Sequence, residues 1–157
     1  MSDSRTVVGI ISDTHGLLRP EAIAALQGSD LIIHAGDVGK PEVIDRLRGL
    51  APLFVIRGNI DTPGWAASLP VTECVEVGET LFWVLHDIAQ LDLDPAASGF
   101  AAVVFGHSHQ PSIETRDGVL YINPGSAGPR RFRLPVAIAR AHIVGREIVP
   151  EIVELAV

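Results

Sequence analysis

Five short apolar runs in this chain each end abruptly in polar residues: Ser12–Gly16 (SDTHG), His34–Asp37 (HAGD), Arg57–Asp61 (RGNID), Leu85–His86, and Gly106–His109 (GHSH). Among the side chains these endings offer are two aspartates (Asp13, Asp37), one asparagine (Asn59) and four histidines (His15, His86, His107, His109), with no cysteine. In open α/β sheets, ligands bind at the carboxyl ends of parallel strands. Asp13, Asp37 and Asn59 each follow an expected strand, as do His86, His107 and His109. Such donors at the ends of separate buried strands point to one site holding two metal ions side by side.

Between the polar endings, the first half alternates strand and helix. Thr6–Ser12 is an apolar, β-branched run, read as a buried strand. Pro20 and Gly28 bracket a short helix over Pro20–Gln27; Leu31–Ala35 is the next strand. A second helix over Pro41–Arg48 is closed by Gly49, and Leu53–Arg57 is a third strand. This alternation predicts a largely parallel sheet. Further on, Val71–Val77 and Thr80–Leu85 flank a tight turn at Gly78-Glu79. A short helical piece is expected around Ala89–Ala97, then a strand at Ala101–Phe105. Ser112–Thr115 and Val119–Ile122 flank Asp117-Gly118, and Pro135–Ile143 and Glu147–Leu155 flank Gly145. The strand-rich second half predicts a second sheet packed on the first. With 157 residues and neither linker nor repeat, residues 1–157 read as one domain.

Composition narrows the classes. Hydrophobic residues make up 47% and mean hydropathy is +0.32, which suits a folded globular chain. No apolar run reaches the roughly 18 residues needed to cross a bilayer. The first apolar stretch, Val7–Ile11, is too short for a secretory core, so a soluble cytoplasmic protein is expected. Cys74 is the sole cysteine, which excludes an internal disulfide; its alternating surroundings make it a small packing residue. The net charge of −7 opposes nucleic-acid and anionic-membrane binding, so an anionic substrate must be attracted locally. GxGxxG, P-loop and GxSxG signatures are all absent.

The motifs D-x-H, G-D, G-N-x-[DE], H and G-H-x-H, in this order, resemble the calcineurin-type metallophosphoesterase superfamily. Small size, HAGD, GNID and Asn123-Pro124-Gly125-Ser126 narrow the resemblance to the YfcE-like phosphodiesterases, over about Val7–Ile152. It implies an α/β metallophosphoesterase fold, with two packed β-sheets sandwiched between helices in four αββα layers. It also implies that Asp13, His15 and His109 hold one metal, that Asn59, His86 and His107 hold the other, and that Asp37 bridges them. Asp37, Asn59 and His86 would be catalytic, a water between cations about 3.5–4 Å apart serving as nucleophile. Two divalent ions outweigh the two aspartates, leaving a positive spot in an acidic protein. Thiolate-free ligands suit manganese, the leading choice on the resemblance, with nickel, iron, cobalt or zinc as alternatives.

The implied substrate is a small phosphodiester, with no stable nucleic-acid complex, no membrane, and a homodimer or homotetramer as the assembly. The alternative is a non-catalytic scaffold of the same fold. Asn123 and Arg130 are candidate substrate contacts, with Arg131 and Arg133 completing a basic patch. His34 reads as a buried hydrogen-bonding residue and His142 as structural. Ile60 stands where many superfamily members carry a proton-donating histidine, and Asp87 where relatives generally have glycine.

Overall fold

In this computed structural model, which describes residues 5–62 and 64–157, the chain forms ten short strands and two α-helices. Met1–Ser4 and Pro63 lie outside the described residues. Strands β1 (Arg5–Ile11), β2 (Leu31–His34) and β3 (Leu53–Val55) alternate with α1 (Pro20–Leu26) and α2 (Pro41–Arg48). Both helices begin on the proline singled out above, where the missing N–H has no intrahelical partner to lose. Next come β4 (Thr72–Val77), β5 (Thr80–Leu85), β6 (Ala102–Val104), β7 (Ser112–Arg116) and β8 (Val119–Asn123). The described chain closes with β9 (Ala137–Val144) and β10 (Glu147–Glu154).

The strands form two five-stranded sheets, ordered β10-β9-β1-β2-β3 and β4-β5-β6-β8-β7. Each is mixed rather than largely parallel. In the first, β1, β2 and β3 run parallel while β9 pairs antiparallel with both β1 and β10. In the second, β5, β6 and β8 run parallel between antiparallel edges β4 and β7. The C-terminal strands therefore complete the first sheet, and the second is built from residues 72–123. Strand β9 accounts for this: Ile138 packs toward the helices while Ala139, Ala141 and Ile143 face the other sheet. Such a strand is covered on both faces and belongs inside a sheet, not at an edge.

Strand alternation builds the layers. Val8, Ile10, Ile33, Phe82, Val84 and Val104 meet between the sheets in the main core. Ile11, Ile32 and Val55 point the other way, onto Leu26, Val43 and Leu47 of the helices. On the far face of the second sheet, Leu85, Val103 and Tyr121 are covered by Ile88 and Leu91. The cover there is a 3₁₀ turn, Ile88–Gln90, in place of the helix expected over Ala89–Ala97. Asp92, Asp94 and Pro95 explain the shortfall, since proline disfavours a helical conformation in the residue before it. Cys74 also differs from expectation. It is exposed, because on edge strand β4 the core side is taken by Val75 and Val77. No helix among the described residues is long and apolar enough to cross a membrane.

Candidate metal centre

Both sheets direct the C-terminal ends of their parallel strands at one place. Asp13 follows β1, Asp37 follows β2 and Asn59 follows β3; His86 follows β5, and His107 and His109 follow β6. Asp13 is fully buried and Asp37 nearly so. Asp13 Oδ1 lies 3.4 Å from His109 Nε2 and 3.8 Å from Nε2 of both His15 and His86. Asp37 Oδ2 lies 3.6 Å from His15 Nε2 and 3.2 Å from His86 Nε2. The histidines stand in two pairs: His15 with His109, ring centroids 5.2 Å apart, and His86 with His107, 5.3 Å apart. His107 and Asn59 are exposed at the rim, Asn59 lining a cavity of about 350 Å³ with His86 and Arg57.

Backbone strain is concentrated here. Among the described residues, seven non-glycine positions have positive φ, and five of them are Asp13, His15, Asp37, His107 and His109. Left-handed backbone is costly for such residues and persists where the surroundings over-determine it. Two glycines permit the crowding. A Cβ at Gly58 would strike the Asp37 carboxylate, and one at Gly106 would strike Ser12 and Asp13.

The polar groups around the donors are almost fully matched. Asp13 Oδ2 accepts from Ser12 Oγ (2.7 Å) and from the His107 amide (3.2 Å), and Asp37 Oδ1 accepts from the Ile60 amide (3.0 Å). His86 Nδ1 donates to the Ala35 carbonyl (2.7 Å), which leaves Nε2 with a lone pair aimed at both carboxylates. A carbonyl behind an imidazole in this way is how metal-binding histidines are commonly oriented. Asp13 Oδ1, His15 Nε2 and His86 Nε2 are left buried without a well-directed hydrogen bond. Buried polar atoms of this kind are rarely orphaned, and these converge on one another. Asp13–His15–His109 and Asp13–Asp37–His86 are each grouped tightly enough to hold a cation. Carboxylate and imidazole without thiolate fit a divalent transition metal.

Electrostatics agrees. Burial disfavours charge on Asp13, yet His109, His15, His86 and Ser12 hold its carboxyl far below the usual range. Asp37 is likewise lowered, its burial outweighed by His86 and the Ile60 amide. The Asp13 carboxylate raises the His15 pKa. His86 is raised as well, Asp37 and the Ala35 carbonyl overcoming burial.

The remaining candidate positions lie around this centre or apart from it. Asn123 is buried and donates to the Gly106 carbonyl (3.1 Å) and Ser108 Oγ (3.1 Å), while its oxygen accepts from the Gly125 amide (2.9 Å). Both of its N–H groups are thus engaged in shaping the GHSH loop. Arg130 lines a cavity of about 160 Å³ together with His15, His109, Pro129 and Arg131. Asp87 Oδ2 lies 3.8 Å from His107 Nε2, and Oδ1 caps the 3₁₀ turn through the Ala89 amide. His142 Nε2 faces Glu151 across β9 and β10 at 3.6 Å, away from the site. Asp61 belongs to the GNID motif, yet the motif alone carried no sign of what it does. Its carboxylate accepts from the amides of Val38 (3.1 Å), Gly39 (2.9 Å) and Gly58 (2.9 Å), tying the Asp37 loop to the Asn59 loop.

His34 is buried behind the centre. Gly36 N–H donates to its Nδ1 (3.1 Å), and Thr14 Oγ1 donates to the Val38 carbonyl (2.8 Å). Nε2 therefore carries the proton and donates to Thr14 Oγ1 (3.0 Å), a neutral tautomer with every position used. Burial pushes the His34 pKa down to about 4 from 6.5. A depressed pKa means the unfolded chain protonates first, so this stability is full above pH 6.5 and drains as the pH falls toward 4. The loss expected is about 3 kcal/mol, and His34→Gln should flatten the dependence of urea-unfolding stability on pH over that window. Equal slopes in the two proteins would show that His34 is not the group responsible.

The fold and the site together define a class. The model of the calcineurin-like phosphoesterase superfamily domain matches residues 7–146. The chain belongs to that superfamily. It is 34% identical over 133 residues to a probable metallophosphoesterase of Methanocaldococcus jannaschii, covering 76% of this chain and 67% of the relative. A probable metallophosphoesterase of Methanothermobacter thermautotrophicus is 30% identical over 94% of this chain and 91% of its own length. A second M. jannaschii protein, a phosphodiesterase, is 29% identical over 75% of this chain and 82% of its own. Among solved structures, a predicted phosphoesterase of Streptococcus pneumoniae superposes with TM-score 0.79 at 25% identity, covering 98% and 91% of the two chains. Vacuolar protein sorting 29 of Cryptosporidium parvum superposes with TM-score 0.84 at 19% identity, covering 98% and 93%. The second of these is a likeness of fold alone.

Proposed function

We propose that this protein is a metal-dependent phosphodiesterase whose centre takes two divalent cations, manganese first among them. Asp13, His15 and His109 would hold one cation, Asn59, His86 and His107 the other, with Asp37 shared between them. The observation that carries this reading is the buried, unpartnered Asp13 Oδ1 with the equally unpartnered His15 Nε2 and His86 Nε2 each 3.8 Å from it, in two donor groups that share Asp13. Support for sharing comes from Asp37 Oδ2, which lies within 3.6 Å of His15 and 3.2 Å of His86, one member of each histidine pair.

Divalent cations bound there supply Lewis acidity and a water acidified enough to attack near neutral pH. The chain's own groups do the rest. The strained loops hold the carboxylates and imidazoles in place before substrate arrives, so little reorganisation is needed during reaction. Arg130 and Arg131, on the wall beside His15 and His109, draw in an anionic diester that the overall charge would otherwise repel. Ile60, exposed at the rim, has no proton to give a leaving alkoxide. Aryl phosphodiesters should therefore be cleaved about 10³-fold faster than alkyl ones at saturating metal. Comparable rates would mean that another acid is at hand.

A decisive assay is hydrolysis of bis(p-nitrophenyl) phosphate with Mn²⁺ and with EDTA, alongside metal stoichiometry by mass spectrometry. Activity that appears with Mn²⁺, disappears with EDTA and tracks two ions per chain is expected. A second reading of the same fold is a non-catalytic protein-interaction module. A scaffold is under no need to keep metal ligands, whereas all seven expected positions are filled here. Partner capture without metal-stimulated hydrolysis would favour the scaffold.

A further inference from the structure

The loop 129–134 joins the metal centre to an exposed aromatic ring. Its stems are buried and pinned to the strand end that carries Asp13. Ser126 Oγ donates to the Asp13 carbonyl (3.0 Å), the Ala127 amide to the Ser12 carbonyl (3.1 Å), and Arg19 to the Gly128 carbonyl (3.3 Å). On the return side, the Ala137 amide donates to the Ser126 carbonyl (3.0 Å). The base of the loop thus has a defined position relative to Asp13. Arg130 and Arg131 share the walls of one cavity with His15 and His109. Arg130 Nη2 also reaches the Val157 carbonyl (3.4 Å), which engages only one of its five N–H donors.

Beyond the arginines the chain turns back, the Leu134 amide donating to the Arg131 carbonyl (3.1 Å). Phe132, the second residue of this turn, has φ 54° and is 89% exposed. Positive φ at that place in a turn normally calls for glycine, asparagine or aspartate. A phenylalanine there bears both backbone strain and an unburied ring, and neither serves the core. Arg133 follows, so the exposed ring lies between two arginines in the chain.

We propose that this loop binds a nucleoside phosphodiester: Arg130 and Arg131 engage the phosphate oxygens while Phe132 stacks on the base. The proposal rests on the phosphodiesterase reading and names its substrate class. Charge selects this occupant over a polyanion or an anionic membrane. The three arginines form a local positive patch on a chain of net charge −7, which a small nucleotide can approach and an extended anionic surface cannot. Stacking on an aromatic side chain tolerates any base, so the expected preference is for nucleosides in general.

Two esters with the same leaving group test this. Thymidine 5′-(p-nitrophenyl phosphate) and methyl p-nitrophenyl phosphate both release p-nitrophenolate and differ only in the retained alcohol. With the Mn²⁺-loaded protein, kcat/KM should favour the thymidine ester by about tenfold, through KM. Phe132→Ala should bring that ratio near one, Phe132→Trp should keep it, and Arg131→Ala should raise KM for both esters. A ratio near one in the parent protein, or one that Phe132→Ala leaves unchanged, overturns the proposal. Calorimetric binding of thymidine 5′-monophosphate against methyl phosphate reads the same loop without turnover. A nucleoside advantage lost in Phe132→Ala would then support the loop's role even if neither ester were hydrolysed, an outcome that defeats only the phosphodiesterase reading. No such advantage overturns the loop's role directly. So does Phe132-dependent sedimentation with phosphatidylserine vesicles, which would make the loop a membrane contact.

Discussion

Asp37→Asn is expected to lower kcat/KM for bis(p-nitrophenyl) phosphate by 10³-fold or more, with a melting temperature close to that of the parent protein (an order of magnitude set by removal of a group central to metal catalysis). The substitution is nearly isosteric, and asparagine tolerates the left-handed φ of 56° at this position. Its carbonyl oxygen can still accept from the Ile60 amide, as Asp37 Oδ1 does at 3.0 Å. What it lacks is the negative charge between His15 and His86. Activity within tenfold of the parent at saturating Mn²⁺ would remove Asp37 from the centre. The same charge predicts a pH effect. The carboxylates raise the proton affinity of His15 and His86, and a cation must displace those protons. Mn²⁺ binding measured calorimetrically should therefore strengthen as the pH rises through and somewhat above the ordinary imidazole range.

Asp61→Ala carries the second large effect. The Asp61 carboxylate is 6% exposed and accepts from three backbone amides on two loops. Truncation leaves those donors without acceptors, a penalty of about 1–3 kcal/mol for each that stays dry. A total loss of about 3 kcal/mol or more is expected, seen as a fall in melting temperature of about 10 °C. Hydrolysis should decline beyond the fraction unfolded, because the Asp37 and Asn59 loops are no longer tied together. Asp61→Asn, which keeps one acceptor oxygen, should fall between the two. A melting temperature within about 2 °C of the parent for Asp61→Ala would show that water satisfies these amides.

Local patterning made much of the fold legible. Pro20 and Pro41 open their helices where expected, and Asp117-Gly118 turns its hairpin, because these depend on near neighbours in the chain. The partners of β9 were not legible. An apolar strand carries no label for the sheet it joins, and only long-range burial on both faces sends Ala137–Val144 beside β1. Cys74 shows the same limit, since alternation gives two faces without saying which is inside. Asn123 shows it for the site: nothing in an asparagine ending a strand says that its N–H groups go to the Gly106 carbonyl and Ser108 Oγ of the GHSH loop.

From residue types and order alone came the donor chemistry: two aspartates, one asparagine and four histidines, each behind an apolar run. The tertiary structure decided how those donors meet. It set Asp13 and Asp37 between two histidine pairs, gave Asp61 its three amides, and brought Arg130 and Arg131 to one cavity with His15 and His109. The physical reason is separation along the chain. A side chain's acidity, ligand type and turn preference are local properties, whereas its partners here lie tens of residues away and are chosen by packing two sheets over one buried core.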